Sequence, residues 1–244
     1  MLIRIGVEEI PPSQLVFIRT LIAAIGLNLV MLLRGKRLPT DAATLRTLFI
    51  IGFFNGTIPY LLIAIGEQTI TSSLASVIQA VVPMFSLIIA HFALPDEHIT
   101  PNKVIGIVLG FIGVLILVVR PEDASKQNDV WGAIAIIIAS FSYASATVYT
   151  RRTVTGRLDP IVIAAGTFIP ATLFALMFMV LEPLVGGQPA LDIFALETGV
   201  WASALMLGFF NTFIAYLFFY YIVQQLGAFR ASNVTYVVPV VAIL

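Results

Sequence analysis

Apolar residues fill this chain in blocks of about 17–25 residues, the length of helix that crosses the hydrocarbon of a bilayer, and polar residues gather in the short gaps between them. The blocks fall at roughly 13–33, 45–66, 72–94, 103–119, 130–150, 160–181, 197–222 and 228–244. They lack the polar face at a 3.6-residue period that a buried helix of a soluble enzyme would show. They also lack the ten-residue alternation of a membrane barrel. Eight transmembrane helices are therefore predicted, in an all-α integral membrane fold. The gaps carry fitting punctuation: "IPPS" opens the first block, "RGKRLP" closes it and "LDP" opens the sixth.

The pattern repeats itself. "GFFNGTIPYLL" at 52–62 returns as "GFFNTFIAYLF" at 208–218. At the same offset Gln68 meets Gln224, Ala75-Ser76 meets Ala231-Ser232, and Val81-Val82-Pro83 meets Val237-Val238-Pro239. A fixed-offset repeat sets architecture before any local reading does. The two copies lie five spans apart, so they cross the membrane in opposite directions, as in the inverted repeats of many secondary transporters. A weaker match places "RIGVEEIPPSQL" over "RTVTGRLDPIVI", with Arg4 on Arg152 and Pro12 on Pro160. The halves are read as 1–124 and 125–244. The span at 130–150 has no counterpart before Met1, and the second copy ends inside its fourth span. Two five-helix halves are thus expected in a complete chain, with most of the first and last helices missing here.

Composition agrees: 59% of residues are apolar and 11% charged, with a mean hydropathy of +1.03, against about 25% charge in soluble domains. Net charge is zero, which gives no reason to expect nucleic acid as a partner. The absence of cysteine excludes thiol catalysis and a cysteine-bound zinc. Arg34, Lys36, Arg37, Arg46, Lys103, Arg151, Arg152, Arg157 and Arg230 all fall on one side of the predicted topology. By the positive-inside rule that side is cytoplasmic, and a cytoplasmic-membrane location follows.

Chemistry-bearing residues are sparse. His91 and His98 are read as interfacial, no aspartate lies within a span, and neither HExxH nor G-x-S-x-G occurs. No enzyme, metal or cofactor is expected. Polar residues inside spans are more informative, because desolvating them is costly unless they face a cavity or a partner. Thr57, Tyr60, Ala64 and Gln68 share one helical face, repeated as Phe213, Tyr216, Tyr220 and Gln224. Ser76, Gln79 and Pro83 form a second stripe, repeated as Ser232, Thr235 and Pro239. Tyr60, Gln79, Tyr143, Tyr216, Tyr220 and Thr235 are the candidate substrate-binding residues, around a pocket near the midplane. Asn55 and Asn211 lie off the tyrosine stripe, where they can hydrogen-bond between helices. Arg19, two turns inside its span, is expected to snorkel to the interface. Gly106, Gly110 and Gly113 offer a small-residue surface for helix packing or a homodimer contact.

The segments "IPPSQLVFIRTLIAA", "RGKRLP", "PYLLIAIGEQTITSSLASVIQAVVPMFSLIIA" and "DEHITPNKVIGIVLGFIGVLIL" resemble EamA-type members of the drug/metabolite transporter superfamily. The resemblance spans essentially the whole chain. It implies ten helices in two inverted halves, a substrate cavity between them, and export of amino acids, other metabolites or drugs. With tyrosines and glutamine but no mid-membrane carboxylate, the expected substrate is a small neutral or zwitterionic metabolite. The alternatives are a nucleotide-sugar or phosphate-ester exchanger, for which buried cations are too few, and a non-transporting scaffold.

Overall fold

The computed structural model describes residues 2–118, 129–190 and 196–236. Helices make up the described residues and no sheet occurs among them. A short α1 (Leu2–Glu9) leads into α2 (Pro12–Leu33), α3 (Ala42–Thr69), α4 (Ser72–Ala93) and α5 (Pro101–Val118). Then come α6 (Val130–Thr153), α7 (Pro160–Leu184), α8 (Thr198–Leu226) and a short α9 (Ala228–Ser232). Six of these, α2, α3, α4, α6, α7 and α8, are long and apolar enough to cross a membrane, and α5 is a shorter apolar helix. Seven predicted spans thus correspond to helices. Of the eighth, residues 228–236 are described, and Pro239 lies outside the described residues.

Local chemistry explains where the helices begin. Asp41, Thr71, Asp129 and Asp159 cap α3, α4, α6 and α7, each side chain accepting a backbone N–H of the first turn at 2.8–3.2 Å. Hydrogen bonds from Thr44 hold the Asp41 carboxyl below its ordinary range. Proline opens α2 and α7, where the missing N–H costs nothing. Within α4, the chain makes a turn at Ala80-Val81 before Pro83 starts the second half of the helix. That is the break expected from a ring that cannot accept the preceding helical turn.

The helix ends sort into two faces. Lys36 pairs with Asp159 at 3.2 Å and Arg151 with Asp96 at 3.1 Å on one face. On the other, Ser13 bonds Glu182, Ser72 bonds Glu67, and Ile70, Ala75 and Ile136 pack together. Successive long helices run between these faces in alternate directions. The first face carries the basic loops, so it is called the basic face below.

The core is a sandwich of α2 and α7, closed by α3 on one side and α8 on the other. Small residues let the backbones approach: Ala23, Ala24, Ala164, Ala165, Ala171 and Ala175 are all buried there. In lipid this packing is driven by dispersion contacts, because apolar side chains gain nothing by leaving one hydrocarbon for another. Gly52 takes the closest approach, and a Cβ on it would strike the Thr167 carbonyl. At the periphery, α5 buries only Val114 among its described side chains; Gly110 meets the Tyr236 ring, while Gly106 and Gly113 face open space.

Candidate functional site

Both copies of the repeated GFFN motif leave the α-helical path. In α3, residues Gly52–Thr57 form a π-helical turn, and in α8 residues Phe209–Ile214 do the same. A π turn inserts one residue into the helix and shifts the hydrogen-bond ladder, a feature found most often at functional sites. Here the shifted carbonyls find partners on other helices. Phe54 O accepts from Ser142 Oγ of α6 at 2.7 Å, and Asn55 O accepts from the Tyr216 hydroxyl of α8 at 3.4 Å. Thr57 Oγ1 donates to Ala171 O of α7 at 3.0 Å, and Thr212 Oγ1 donates back to Leu207 O at 2.8 Å.

Around these turns lies a buried polar and aromatic cluster built by α2, α3, α6, α7 and α8. Tyr60 and Tyr143 meet edge to face at 6.1 Å. Tyr216 meets Phe168 edge to face at 4.7 Å and Tyr220 in a tilted contact at 5.6 Å. The Tyr220 hydroxyl lies 3.1 Å from Asn55 Nδ2, which donates to it, and 3.3 Å from Thr167 Oγ1. Asn55 Oδ1 is buried with no hydrogen-bond partner among the described residues.

Arg19 completes the cluster and overturns the expectation that it snorkels. It is 7% exposed, with its guanidinium 3.7 Å from the centre of the Tyr60 ring. Nε and Nη2 both donate to Thr212 Oγ1, at 3.3 and 3.1 Å. Seven residues from the start of α2, its stem would have to climb about 10 Å to reach the interface, and α3 and α8 cover it on the way. A cation–π contact plus a hydroxyl offers the charge a partly compensated berth inside the protein. The sequence signal was present: an arginine within an apolar block, opposite a tyrosine stripe, in a chain otherwise free of mid-span charge.

Of the six candidate site residues, Tyr60, Tyr143, Tyr216 and Tyr220 come together in this cluster. Gln79 and Thr235 are half-buried on other elements and share no hydrogen bond with the tyrosines; the Thr235 hydroxyl bonds Ser232 O at 2.9 Å. Asn55 joins helices as expected, whereas Asn211 is exposed. His91 is half-buried and His98 exposed, with rings 5.7 Å apart. A cavity of about 360 Å³ opens nearer the basic face, between α3, α4 and α6. Ile51, Phe54, Ile89, Ala146 and Tyr149 line it, Arg152 stands at its rim, and none of the six candidate residues reaches it. Phe54, which lines it, is bonded through its carbonyl to Ser142.

On the basic face, a contact invisible in the sequence pattern ties the connection between α4 and α5 to α9. Glu97, 7% exposed in the connection between α4 and α5, accepts from the backbone N–H groups of Ala228 and Phe229 at 2.6 and 3.0 Å. Its carboxylate thus caps α9, where negative charge suits the helix dipole. Gly227 (φ +88°) makes room, since a Cβ there would lie 2.6 Å from Glu97 Oε1. Arg151 braces the same contact through Asp96 and Gln224 O.

Six helices long and apolar enough to cross a membrane, packed around a buried polar centre, define a multi-pass membrane protein. The sequence pattern of the EamA-like transporter family matches residues 1–119 and 130–244, and the chain belongs to that family. It is 29% identical over 248 residues to the uncharacterized inner membrane transporter YedA of Escherichia coli K12, covering 99% of this chain and 75% of that one. It is 28% identical to the uncharacterized transporter YdfC of Bacillus subtilis, with the same coverages. An uncharacterized transporter of Archaeoglobus fulgidus is 27% identical over 99% of this chain and 81% of its own. A solved crystal structure superimposes with a TM-score of 0.76 over 97% of this chain and 78% of that chain, at 18% identity, a likeness of fold alone.

Proposed function

We propose that the protein is a secondary transporter that exports small metabolites across the cytoplasmic membrane, by alternating access between inverted halves at 1–124 and 125–244. The observation that carries the proposal is the pair of π turns at matched places in two oppositely directed helices, flanking one shared polar cluster. Inverted repeats put substrate sites at their interface, where broken or irregular helices supply polar groups. Tyr60 and Tyr143 come from one side of that cluster and Tyr216 and Tyr220 from the other. The apolar cavity near the basic face is the entry vestibule of this proposal, with Phe54 and the Ser142 bond as the barrier between vestibule and site. The contact of Glu97 with α9 is the part of the basic face that must open as the halves rock.

Counterflow of labelled amino acids into proteoliposomes tests the proposal. Tyr216→Ala is expected to cut the rate at least tenfold while leaving membrane insertion normal, and Gln79→Ala to cut it less. Ala146→Phe, which fills the vestibule, should slow entry from the basic face. Leu21→Ala, at a lipid-exposed position, should do little. Normal transport by Tyr216→Ala would remove the cluster from the path, and a requirement for a phosphorylated counter-substrate would favour an exchanger.

A further inference from the structure

The tyrosine cluster contains something that a site for neutral molecules does not need: a fixed positive charge. We infer that Arg19 is the anchor for a carboxylate of the transported molecule, so that the substrates are monocarboxylates or zwitterionic amino acids and not amines or uncharged apolar compounds. The inference rests on the transport reading above and narrows it.

The guanidinium carries a permanent charge and five donors in a planar fork that matches a carboxylate. Two of those donors share one acceptor, Thr212 Oγ1. That hydroxyl is then fully used, because it also donates to Leu207 O. No other acceptor and no carboxylate meets Arg19 among the described side chains. The carboxylates of the opposite face have other partners, Glu67 with Ser72 and Glu182 with Ser13. The Nη1 end of the fork meets no acceptor among the described residues and is left for one from outside. Charged side chains held within a membrane protein are rare and mark substrate or ion paths.

The repeat argues against a merely architectural role. At the offset that sets Pro12 on Pro160, Arg19 falls on Thr167 of α7. Thr167 holds the tyrosine of its own half through a neutral contact, its hydroxyl 3.3 Å from that of Tyr220. The matched position in the second half therefore carries a neutral hydroxyl, and it meets Tyr220, one turn beyond Tyr216, the match of Tyr60. What Arg19 adds is the charge itself, set against the Tyr60 ring within the tyrosine cluster.

The test uses the intact protein in proteoliposomes and in detergent, with four compounds of one carbon skeleton: L-leucine, 4-methylpentanoate, L-leucinamide and 3-methylbutylamine. Each competes against labelled L-leucine in counterflow, and each is added to the detergent-solubilised protein in a thermal melt. Both acids should compete and raise the melting temperature, and the amide and amine should be at least tenfold weaker in each assay. Arg19→Gln should abolish the difference between acid and amide, and Arg19→Lys should restore part of it. If Arg19→Gln does not fold, the comparison of acid with amide on the native protein still decides the matter. Equal competition by leucinamide, or equal melting shifts for all four compounds, overturns the anchor. Absence of leucine counterflow combined with acid-selective melting shifts would instead sink the transport reading and leave the carboxylate site standing.

Discussion

The two copies of GFFN fold into the same kind of turn and meet very different surroundings. In α3 the π turn is packed hard against α7, with Gly52, Asn55, Gly56 and Thr57 all buried. In α8 only Thr212 of the π turn is buried, while Phe209 and Phe210 are 43% and 51% exposed and Asn211 faces outward. Asn55 ties Tyr220 into the cluster, and its matched residue Asn211 ties nothing there. The contrast extends to the neighbouring helices, where the charged Arg19 lies over Tyr60 while its match, the neutral Thr167, meets Tyr220 and not Tyr216, the match of Tyr60. A repeated sequence therefore fixes backbone geometry, while the copies differ in what packs around it. One half contributes the rigid seat and the charge, and the other contributes aromatic faces and a hydroxyl.

The largest difference between the copies should appear at their glycines. Gly52→Ala would drive a methyl group into the Thr167 carbonyl and to 3.1 Å from Ala171 N, both rigid backbone. A destabilisation of about 3 kcal/mol is expected, at the upper end of overpacking costs, read from melts in detergent. Gly208→Ala meets the Ile22 side chain at 2.8 Å, which can turn aside in part, and should cost about half as much. Equal losses would mean that the two turns are packed alike. At the basic face, Glu97→Ala should cost about 1–2 kcal/mol, through the two amide hydrogen bonds and the helix charge it satisfies, and should raise proteolysis near Gly227. The smallest contrast is between the asparagines. Asn55→Ala should lose about 1 kcal/mol with its bond to Tyr220, whereas Asn211→Ala should stay within about 0.5 kcal/mol. A larger loss at Asn211 would show that its exposed side chain has a partner in the membrane.

Hydropathy alone located the helices, because in lipid every backbone polar group must be satisfied within the segment, and the capping residues at 41, 71, 129 and 159 can be read by eye. The tyrosines were legible as well, since a period-matched stripe repeated at a fixed offset is difficult to produce by packing alone. What could not be read was which stripes meet. Gln79 and Tyr60 look equivalent on a helical wheel, yet the turn at Ala80-Val81 and the packing of α6 assign them different surroundings. Arg19 was misread because snorkelling is judged from depth, and depth does not reveal that α3 and α8 cover the arginine. The π turns have no hydropathy signal at all; only the repeated GFFN hinted that the backbone there is special. Glu97 was missed because its partners are amide groups some 130 residues away.

The central claim is that the Arg19–tyrosine cluster is a transport site reached in turn from both faces, and not an inert core. The chain has no cysteine, so Ala64→Cys, one helical turn from Tyr60 and 2% exposed, introduces a single thiol beside the cluster. Its reaction with a charged, membrane-impermeant thiol reagent can be followed in right-side-out and inverted vesicles, with and without L-leucine. Slow labelling from both faces, reduced by L-leucine, is the predicted result. A thiol that stays unreactive from both faces, or one that labels from a single face regardless of substrate, would contradict it.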